Sequence, residues 1–345
     1  MKIFNPVNEI SFQVQGKMVN AHTHLDRAYT LTKEDFRNSN INKHLFDKWK
    51  IVKDIKSKSS EADYYQRIMK AAEYQFDYGV KSILTFIDID EYAGERALNA
   101  AVHVKKELKQ IYDIDLVIAN QTLSGVTNPK IKKMIEKNMD RIDILGGLPR
   151  VENFSNHIDT IFSWAKDTGK KVHVHVDQLN TTKEHETEML AIKTKEYGLY
   201  DQVTAVHSIS LAAHSKNYRD RIYKQCKEME ISFIACPTAW IDHRRNEELN
   251  VNHNSMTPVE ELIQNEITVA IGSDNIHDVY KPYSNGDLLV EAKFLIECLH
   301  FYDINSIVKI LTVNGRKVLG LWKINIAKLA VVILVIAAGA TILLP

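Results

Sequence analysis

One short segment carries the interpretation of the whole chain: Asn20-Ala21-His22-Thr23-His24-Leu25-Asp26-Arg27. It overlaps an apolar-flanked run that begins at Lys17. A strand there would place His22 and His24 on one face, because side chains alternate along a strand. Two imidazoles a few ångströms apart form half of a metal site. A His-x-His pair alone does not distinguish ligands from incidental histidines. The metal-site hypothesis therefore depends on further ligands elsewhere in the chain.

The composition is that of an ordinary globular protein. The 345 residues are 45% hydrophobic and 26% charged, and 44 Lys+Arg balance 44 Asp+Glu. Balanced charge without a dense basic segment argues against a nucleic-acid partner. The three cysteines lie far apart without Cys-x-x-Cys spacing, which favours a reducing compartment and argues against disulfides or a thiolate zinc site. Since the N-terminus shows no signal-peptide pattern, we expect a cytoplasmic protein.

Short β-branched apolar runs alternate with longer amphipathic stretches, which is typical of βα units and a parallel sheet. With the run before His22 there are eight, enough for a (β/α)8 TIM barrel of about 250 residues. An open doubly wound sheet would carry a glycine-rich phosphate turn after its first strand, and this chain has His-Thr-His-Leu-Asp there. We therefore predict an α/β barrel. The other predicted strands are 80–87, 116–121, 142–148, 171–176, 203–207, 231–236 and 267–272.

Polar residues recur where the predicted strands end. Strand one ends in His22 and His24, and strands five, six and eight end in His175, His207 and Asp274. The carboxyl ends of barrel strands share one rim, so these side chains would converge. Neutral imidazoles with a carboxylate suit Zn²⁺ or Fe²⁺. Individually, His175 also fits a core histidine and Asp274 a helix cap. Together, the five residues favour a divalent-metal site.

The order of these motifs resembles that of the amidohydrolase superfamily of metal-dependent TIM-barrel hydrolases. The local sequences of the motifs are similar to those of its cytosine deaminase branch. The likeness runs from about Asn20 to Leu321. It rests on the segments HTHLD (22–26), ANQ (119–121), GGLP (146–149), HVHVD (173–177), AVHS (205–208) and GSDNIHD (272–278).

The resemblance implies a role for each matched residue of the rim. His22, His24, His207 and Asp274 match the usual ligands of a mononuclear centre, and His175 matches the remaining histidine. Water activated by the metal would attack an sp² carbon. Asp274 would accept the proton of that water and His207 would orient it. The cofactor implied is one divalent ion, Zn or Fe.

The resemblance also implies a substrate-binding side at strands three to five. Gln121 matches a glutamine that reads the amide edge of a substrate ring, since a primary amide donates and accepts at once. Pro149-Arg150 supplies no lysine for a bridging carbamate, which is why we expect one ion. Arg150 stands where relatives have a histidine and is a candidate to bind an anionic substrate group. Gln178 replaces the deaminase glutamate that protonates the ring nitrogen.

A neutral amide at Gln178 cannot shuttle a proton. The altered position favours hydrolysis of a C–N bond, in an amide, lactam or amino-substituted N-heterocycle, over deamination of cytosine. Asp274, His207 and Gln178 are the predicted catalytic positions, and a small molecule is the predicted partner. One alternative is a deaminase in which Asp177 or a water replaces the glutamate. Another is a catalytically impaired barrel that acts as a binding protein.

Two aromatic residues extend the predicted pocket. Trp240 lies in the segment 237–245 after strand seven, which we interpret as a pocket-lining loop, and could stack on a planar substrate. Tyr280 is a similar candidate after strand eight. A packed loop aromatic is the alternative for both.

The two ends differ from the family pattern, in which both termini build a small β-sandwich. We divide the chain into a residual β segment (1–19), the hydrolase barrel (20–322) and an apolar tail (323–345). The sandwich appendage is therefore predicted to be incomplete. The β-branched run 331–336 favours a strand remnant, with a membrane anchor as the alternative. A homo-oligomer is a further expectation.

Overall fold

The computed structural model describes residues 5–43, 45–241 and 256–321. The predicted tail, 323–345, lies outside the described residues. So do the side chain of Trp240 and most of the loop that follows it. The tail and the role of Trp240 therefore stay predictions.

All eight predicted strands are present, and each is followed by helix. Two of the amphipathic stretches between predicted strands, 64–76 and 158–168, lie within the helices Glu61–Asp77 and Phe154–Thr168. The strands are β1 Met18–Thr23, β2 Val80–Asp88, β3 Asp115–Gln121, β4 Leu145–Gly147, β5 Val172–Val176, β6 Val203–His207, β7 Ser232–Ala235 and β8 Val269–Ile271. The described helices are α1 Pro6–Val14, α2 Lys33–Arg37, α3 Leu45–Lys58, α4 Glu61–Asp77, α5 Arg96–Tyr112, α6 Pro129–Lys137, α7 Phe154–Thr168, α8 Glu186–Tyr197, α9 Lys216–Glu228, α10 Val259–Gln264, α11 Leu288–Leu299, α12 Ile304–Leu311 and α13 Val313–Val318.

The strands form two parallel sheets in chain order. One contains β1, β2 and β3, and the other contains β4 to β8. Single parallel bridges join the edges of the two sheets, between Ala119 and Ile144 on one side and between Thr23 and Asp274 on the other. The prediction of an α/β fold with parallel strands is confirmed.

Both faces of the sheets are buried. Successive strand residues alternate between two apolar clusters: Ile83 belongs to the cluster that includes the inner faces of the helices, and Leu84 to one built mainly from strand residues. Leu116 and Val117 divide in the same way. Parallel sheets buried on both faces require such apolar runs, which explains why most strand residues are apolar.

The backbone of β1 and the backbone of the segment after β8 approach each other unusually closely. A Cβ added at Gly272 would lie 2.5 Å from His22 Cβ and 2.8 Å from the His22 carbonyl oxygen. Only glycine fits there without displacing the first predicted metal ligand. Asn20 spans the same edge: its amide donates to Ser273 Oγ (2.8 Å) and its Oδ1 accepts from the Ser273 N–H (3.1 Å).

The N-terminal segment departs from the prediction. Residues 6–14, expected within a residual β segment, form helix α1. The Asn5 side chain caps it by accepting from the N–H groups of Val7 and Asn8, and Pro6 takes the first helical position. Ile10 and Val14, four residues apart, bury one face. A cap, a leading proline and an i,i+4 apolar pair together favour a helix.

No helix in the described part of the chain is both long enough and apolar enough to cross a membrane.

Candidate metal centre

The first strand and the segment after the last strand bring three predicted ligands together. His24 Nε2 lies 3.1 Å from Asp274 Oδ1, and His22 Nε2 lies 3.5 Å from the same oxygen. The two imidazole rings are 4.9 Å apart between centroids. The Asp274 N–H donates to the His22 carbonyl oxygen at 3.0 Å, so main-chain pairing fixes the separation of these residues.

His175 and His207 complete the cluster from β5 and β6. The His175 ring lies 4.8 Å from the His22 ring and 5.5 Å from the His207 ring. One ring nitrogen from each of His22, His24 and His175 lies within 4.8 Å of the other two, a spacing that a shared ion can span. The His207 ring is 5.4 Å from the His22 ring. All five predicted metal residues therefore lie in one group.

The donor set fits a divalent cation. The five side chains are at most 5% exposed, yet His22 Nδ1, His175 Nε2 and His207 Nδ1 hydrogen-bond to no described group. His22 Nε2 makes only a long contact of 3.5 Å with Asp274 among the described residues. Buried polar atoms without partners are costly, and coordination to a metal removes that cost. His175 Nδ1 instead donates to the Gly147 carbonyl oxygen at 2.9 Å. That bond leaves the Nε2 lone pair facing the cluster.

Burial keeps His24, His175 and His207 neutral, which is the state that binds metal. It lowers the pKa of His24 and His175 well below the usual range and lowers the pKa of His207 to about 3. Burial also opposes ionisation of Asp274, but the adjacent His22 and His24 rings hold the pKa of its carboxyl well below the usual range. Three neutral imidazoles, those of His24, His175 and His207, therefore lie near one carboxylate.

The backbone is left-handed at the residues that end these strands. The φ angles of His207 and Asp274 are 75° and 58°, and Ser208 follows at 52°. Non-glycine residues in this region store strain that the surroundings must support, and such residues cluster at functional sites. The Thr257 hydroxyl provides part of that support by donating to the His207 carbonyl oxygen.

A buried polar network that the sequence analysis missed lies behind Asp274. The Lys281 ammonium donates to the Ser273 carbonyl oxygen at 2.6 Å and lies 3.5 Å from Glu291 Oε1. Glu291 in turn accepts from the N–H and the hydroxyl of Thr238, at 3.0 and 2.7 Å. The sequence offers no periodicity or motif that singles out Lys281 or Glu291, since both belong to ordinary charged segments.

The predicted substrate side contains two amides with unpaired atoms. Gln121 ends β3 and is 5% exposed, and its buried Oε1 accepts no hydrogen bond from a described group. The buried Nε2 of Gln178 likewise donates to no described group. Unpaired buried amides facing a rim are suited to hydrogen-bond a ligand.

Arg150 is already ion-paired. Its guanidinium contacts Glu184, and the two side chains are 12% and 11% exposed. Glu184 also accepts from the Leu179 N–H at 2.9 Å and from the Ser210 hydroxyl at 2.8 Å. The carboxylate thus ties the segment carrying Gln178 to the ends of β4 and β6. Arg150 is therefore not a free anion-binding group, although its Nε donates to no described group.

Tyr280 is packed among cations. It is 6% exposed, with the Arg27 guanidinium carbon 5.4 Å and the Lys48 ammonium 5.9 Å from its ring centre. Such distances allow cation–π attraction. Whether Tyr280 contacts a substrate stays a prediction.

Comparison with known proteins agrees with this arrangement. The model of the Amidohydrolase family matches residues 17–337, and the chain belongs to that family. A protein from Haemophilus influenzae described as uncharacterized is 40% identical over 257 residues, covering 72% of this chain and 91% of that protein. N-isopropylammelide isopropyl amidohydrolase from a Pseudomonas species is 26% identical over 322 residues, covering 90% of this chain and 75% of that enzyme.

Comparison with solved structures agrees with the family assignment. The 5-methylcytosine deaminase of Klebsiella pneumoniae liganded with phosphonocytosine superposes with a TM-score of 0.80 at 25% identity, covering 89% of this chain and 77% of that one. An N-isopropylammelide isopropylaminohydrolase from Burkholderia multivorans shares the fold, with a TM-score of 0.69 at 19% identity. The predicted resemblance is confirmed. The chain is a metal-dependent hydrolase that acts on carbon–nitrogen bonds.

Proposed function

We propose that this enzyme hydrolyses the bond between a ring carbon and an exocyclic nitrogen of an N-heterocycle, releasing an amine or ammonia. The observation that carries the proposal is the buried group of His22, His24, His175 and Asp274, in which His22 Nδ1 and His175 Nε2 have no hydrogen-bond partner among the described residues. Such a group has no structural use that matches its cost, whereas a metal ion would satisfy it.

The architecture that supports the proposal is a single closed (β/α)8 barrel. The bridges between Ala119 and Ile144 and between Thr23 and Asp274 support closure, because they join the edges of the two sheets. In such a barrel the strand ends form one mouth. The ligands from β1, β5, β6 and β8 would then face the substrate side at β3 to β5.

One ion, zinc or iron, is the cofactor we propose. A bound divalent cation would lower the pKa of a coordinated water towards neutral. His22, His24, His175 and Asp274 would hold the ion, with His175 in the place that the resemblance gave to His207, because ligand nitrogens of the first three lie within 4.8 Å of one another. The Asp274 carboxylate would take the proton of the attacking water, and the neutral His207 imidazole would orient that water by a hydrogen bond. Burial of the cluster would exclude bulk solvent and strengthen these interactions.

The two unpaired amides support a ring with a lactam edge as the substrate. Oε1 of Gln121 would accept from a ring N–H and Nε2 of Gln178 would donate to a ring carbonyl or nitrogen. Amide-edge recognition of this kind rejects analogues that lack the matching groups. The name of the 26% identical Pseudomonas relative, an ammelide amidohydrolase, points to the same class of compound.

Ammonia release from a pyrimidine is the second candidate, favoured by the likeness to the 5-methylcytosine deaminase structure. Gln178 opposes it, because an amide cannot deliver a proton to the ring nitrogen. Asp177 is a poor replacement for the missing acid, since both of its carboxylate oxygens already accept from the N–H groups of Glu186 and Thr187.

The test is metal analysis coupled to a substrate panel. Purified enzyme loaded with zinc or with iron is assayed on cytosine, 5-methylcytosine, ammelide and N-isopropylammelide, and ammonia and isopropylamine are measured separately. We expect one ion per chain and turnover of the N-alkylated triazine above that of the pyrimidines. A protein that folds normally but binds no metal would overturn the proposal.

The Gln178→Glu variant separates the two candidates. A carboxyl at this position restores a group able to protonate a ring nitrogen, so we expect ammonia release from cytosine to rise about tenfold or more over the parent enzyme. Gln178→Met serves as the control, because it keeps the length of the side chain without donor or acid. If the parent already deaminates cytosine faster than the glutamate variant, the deaminase candidate replaces the leading one.

A further inference from the structure

We propose that Lys281 is a positioning residue of the metal centre: its ammonium holds the backbone at Ser273 and thereby aims the Asp274 carboxylate at the ion. This inference rests on the proposed function, because it assumes that Asp274 is a metal ligand. It concerns a residue that touches neither the ion nor the substrate and acts through the chain segment after β8.

Both main-chain polar atoms of Ser273 are held by side chains from other parts of the fold. Its N–H donates to Asn20 Oδ1 at 3.1 Å, and its carbonyl oxygen accepts from the Lys281 ammonium at 2.6 Å. The next residue, Asp274, has a left-handed backbone with φ 58°. A strained residue keeps its conformation only where its neighbours determine it, so these two bonds bear directly on where the carboxylate points.

The charge on Lys281 is balanced within the fold. Its side chain is 4% exposed, and Glu291, 3% exposed, lies 3.5 Å away on α11. An uncompensated ammonium beside a cation site would weaken metal binding through repulsion. The paired carboxylate allows the lysine to act as a hydrogen-bond donor near the centre without that penalty.

The same pair joins two segments that border the predicted pocket. Glu291 accepts from the N–H and the hydroxyl of Thr238, in the segment after β7, while Lys281 holds the segment after β8. Groups that orient metal ligands from behind affect metal affinity by about 10–100-fold when removed. We therefore expect Lys281 to matter for zinc affinity as well as for folding.

The experiment measures the zinc affinity of the full chain by competition with a chromophoric chelator, alongside thermal unfolding of the zinc-free protein. The variants are Lys281→Met, Lys281→Met/Glu291→Gln and Lys281→Arg. The double variant removes the orphaned buried carboxylate, so it separates loss of positioning from loss of folding. Lys105→Met is the control, because the Lys105 ammonium of α5 pairs with Asp143, which belongs to neither the metal cluster nor the Lys281–Glu291 pair.

We expect the double variant to unfold near the parent temperature but to bind zinc about 10–100-fold more weakly. Lys281→Arg should recover most of the affinity, since it keeps a charged donor, and Lys105→Met should bind zinc like the parent. Parent-like zinc affinity in the folded double variant overturns the inference while leaving the proposed metal site intact. Failure of the parent itself to bind zinc overturns the metal site and the inference together.

Discussion

The rim has two halves, the metal side and the substrate side, which differ in the kind of side chain that they present. At the ends of β1, β5, β6 and β8, five buried side chains face one another, and their strand ends are fixed by main-chain bonds such as Asp274 N–H to the His22 carbonyl. At the ends of β3 to β5, the functional candidates are neutral amides, and the predicted cation, Arg150, is paired with Glu184. The first half has a side chain at every metal position that the resemblance implies, whereas the second differs from the deaminase pattern.

On the proposed function, the first half of the rim determines the reaction and the second half determines the substrate. Water activation needs a fixed donor set, so its residues tolerate little change. Recognition of a ring edge depends on which donors and acceptors are offered, so it can change while hydrolysis is retained. The departure with the largest expected consequence is Gln178, which replaces the glutamate of the deaminase pattern.

The largest effect is expected from Asp274→Asn, which tests the metal half. The amide keeps the shape of the side chain but cannot accept the proton of the attacking water. We expect kcat on the best substrate of the panel to fall about 10²–10⁴-fold. Steady-state kinetics at matched zinc content measures it.

The control is Asp287→Asn. Asp287 caps α11 by accepting from the Leu289 N–H at 2.9 Å, and asparagine caps a helix equally well. Its activity should match that of the parent. If Asp274→Asn also keeps parent activity, Asp274 is a structural residue and the division of the rim into two halves fails.

The next largest effect is expected from Glu184→Gln, which tests the substrate half. The change leaves the nearly buried Arg150 without its carboxylate and weakens the bonds to Leu179 and Ser210, so the free energy of unfolding should fall by about 2–3 kcal/mol. KM should rise more than kcat falls, because Gln178 loses its support while the metal ligands keep theirs. Urea unfolding and steady-state kinetics measure the two effects.

Glu188→Gln is the control for that change, because its partner Arg221 is half exposed and such pairs contribute about 0–1 kcal/mol. Zinc affinity should be unaltered in both variants. A large loss of zinc affinity in Glu184→Gln would show that the two halves of the rim are energetically coupled.

The smallest effect is expected on the pH dependence of stability: the slope of the unfolding free energy of the zinc-free protein against pH should change. Burial lowers the pKa of His173 and of His207 to about 3, while an unfolded histidine titrates near 6.5. The unfolded chain therefore takes up protons first. Stability is fully present above pH 6.5 and falls as the pH drops towards 3, by at most about 1.4 kcal/mol per pH unit for each histidine.

The His173→Gln variant isolates one of these histidines. His173 Nε2 donates to the Val318 carbonyl oxygen at 3.0 Å, and a glutamine amide can replace that donor without titrating. Chemical unfolding between pH 4 and 7 should give a shallower pH dependence than the parent. Parallel curves would mean that His173 is not held neutral in the fold.

Much of the fold was predictable because it depends on local pattern. Apolar runs of strand length separated by amphipathic stretches specify βα units, and the parallel arrangement then places strand ends at a common rim. The five residues from His22 to Asp274 were found for that reason: ligand-type side chains recur where strands end.

The remainder depends on contacts between distant charged residues, which one sequence does not reveal. Arg150 was expected to be available for an anion, but Glu184, an ordinary acidic residue of a polar segment, pairs with it. Lys281 and Glu291 are equally inconspicuous. Helix α1 was missed because the family pattern suggested a β segment, although Asn5-Pro6 is a helix-start signal.

The Asn20–Ser273 bonds have a consequence for the order of folding. They join residues 253 positions apart in the chain, and the ligand groups on either side of them come from the first and the last strand. The entropy of closing so long a loop must be overcome before the donor set can assemble. During synthesis, His22 and His24 emerge long before Asp274, so the proposed metal site can form only after β8 and the segment that follows it have been made. Once bound, the ion would favour the closed chain by mass action.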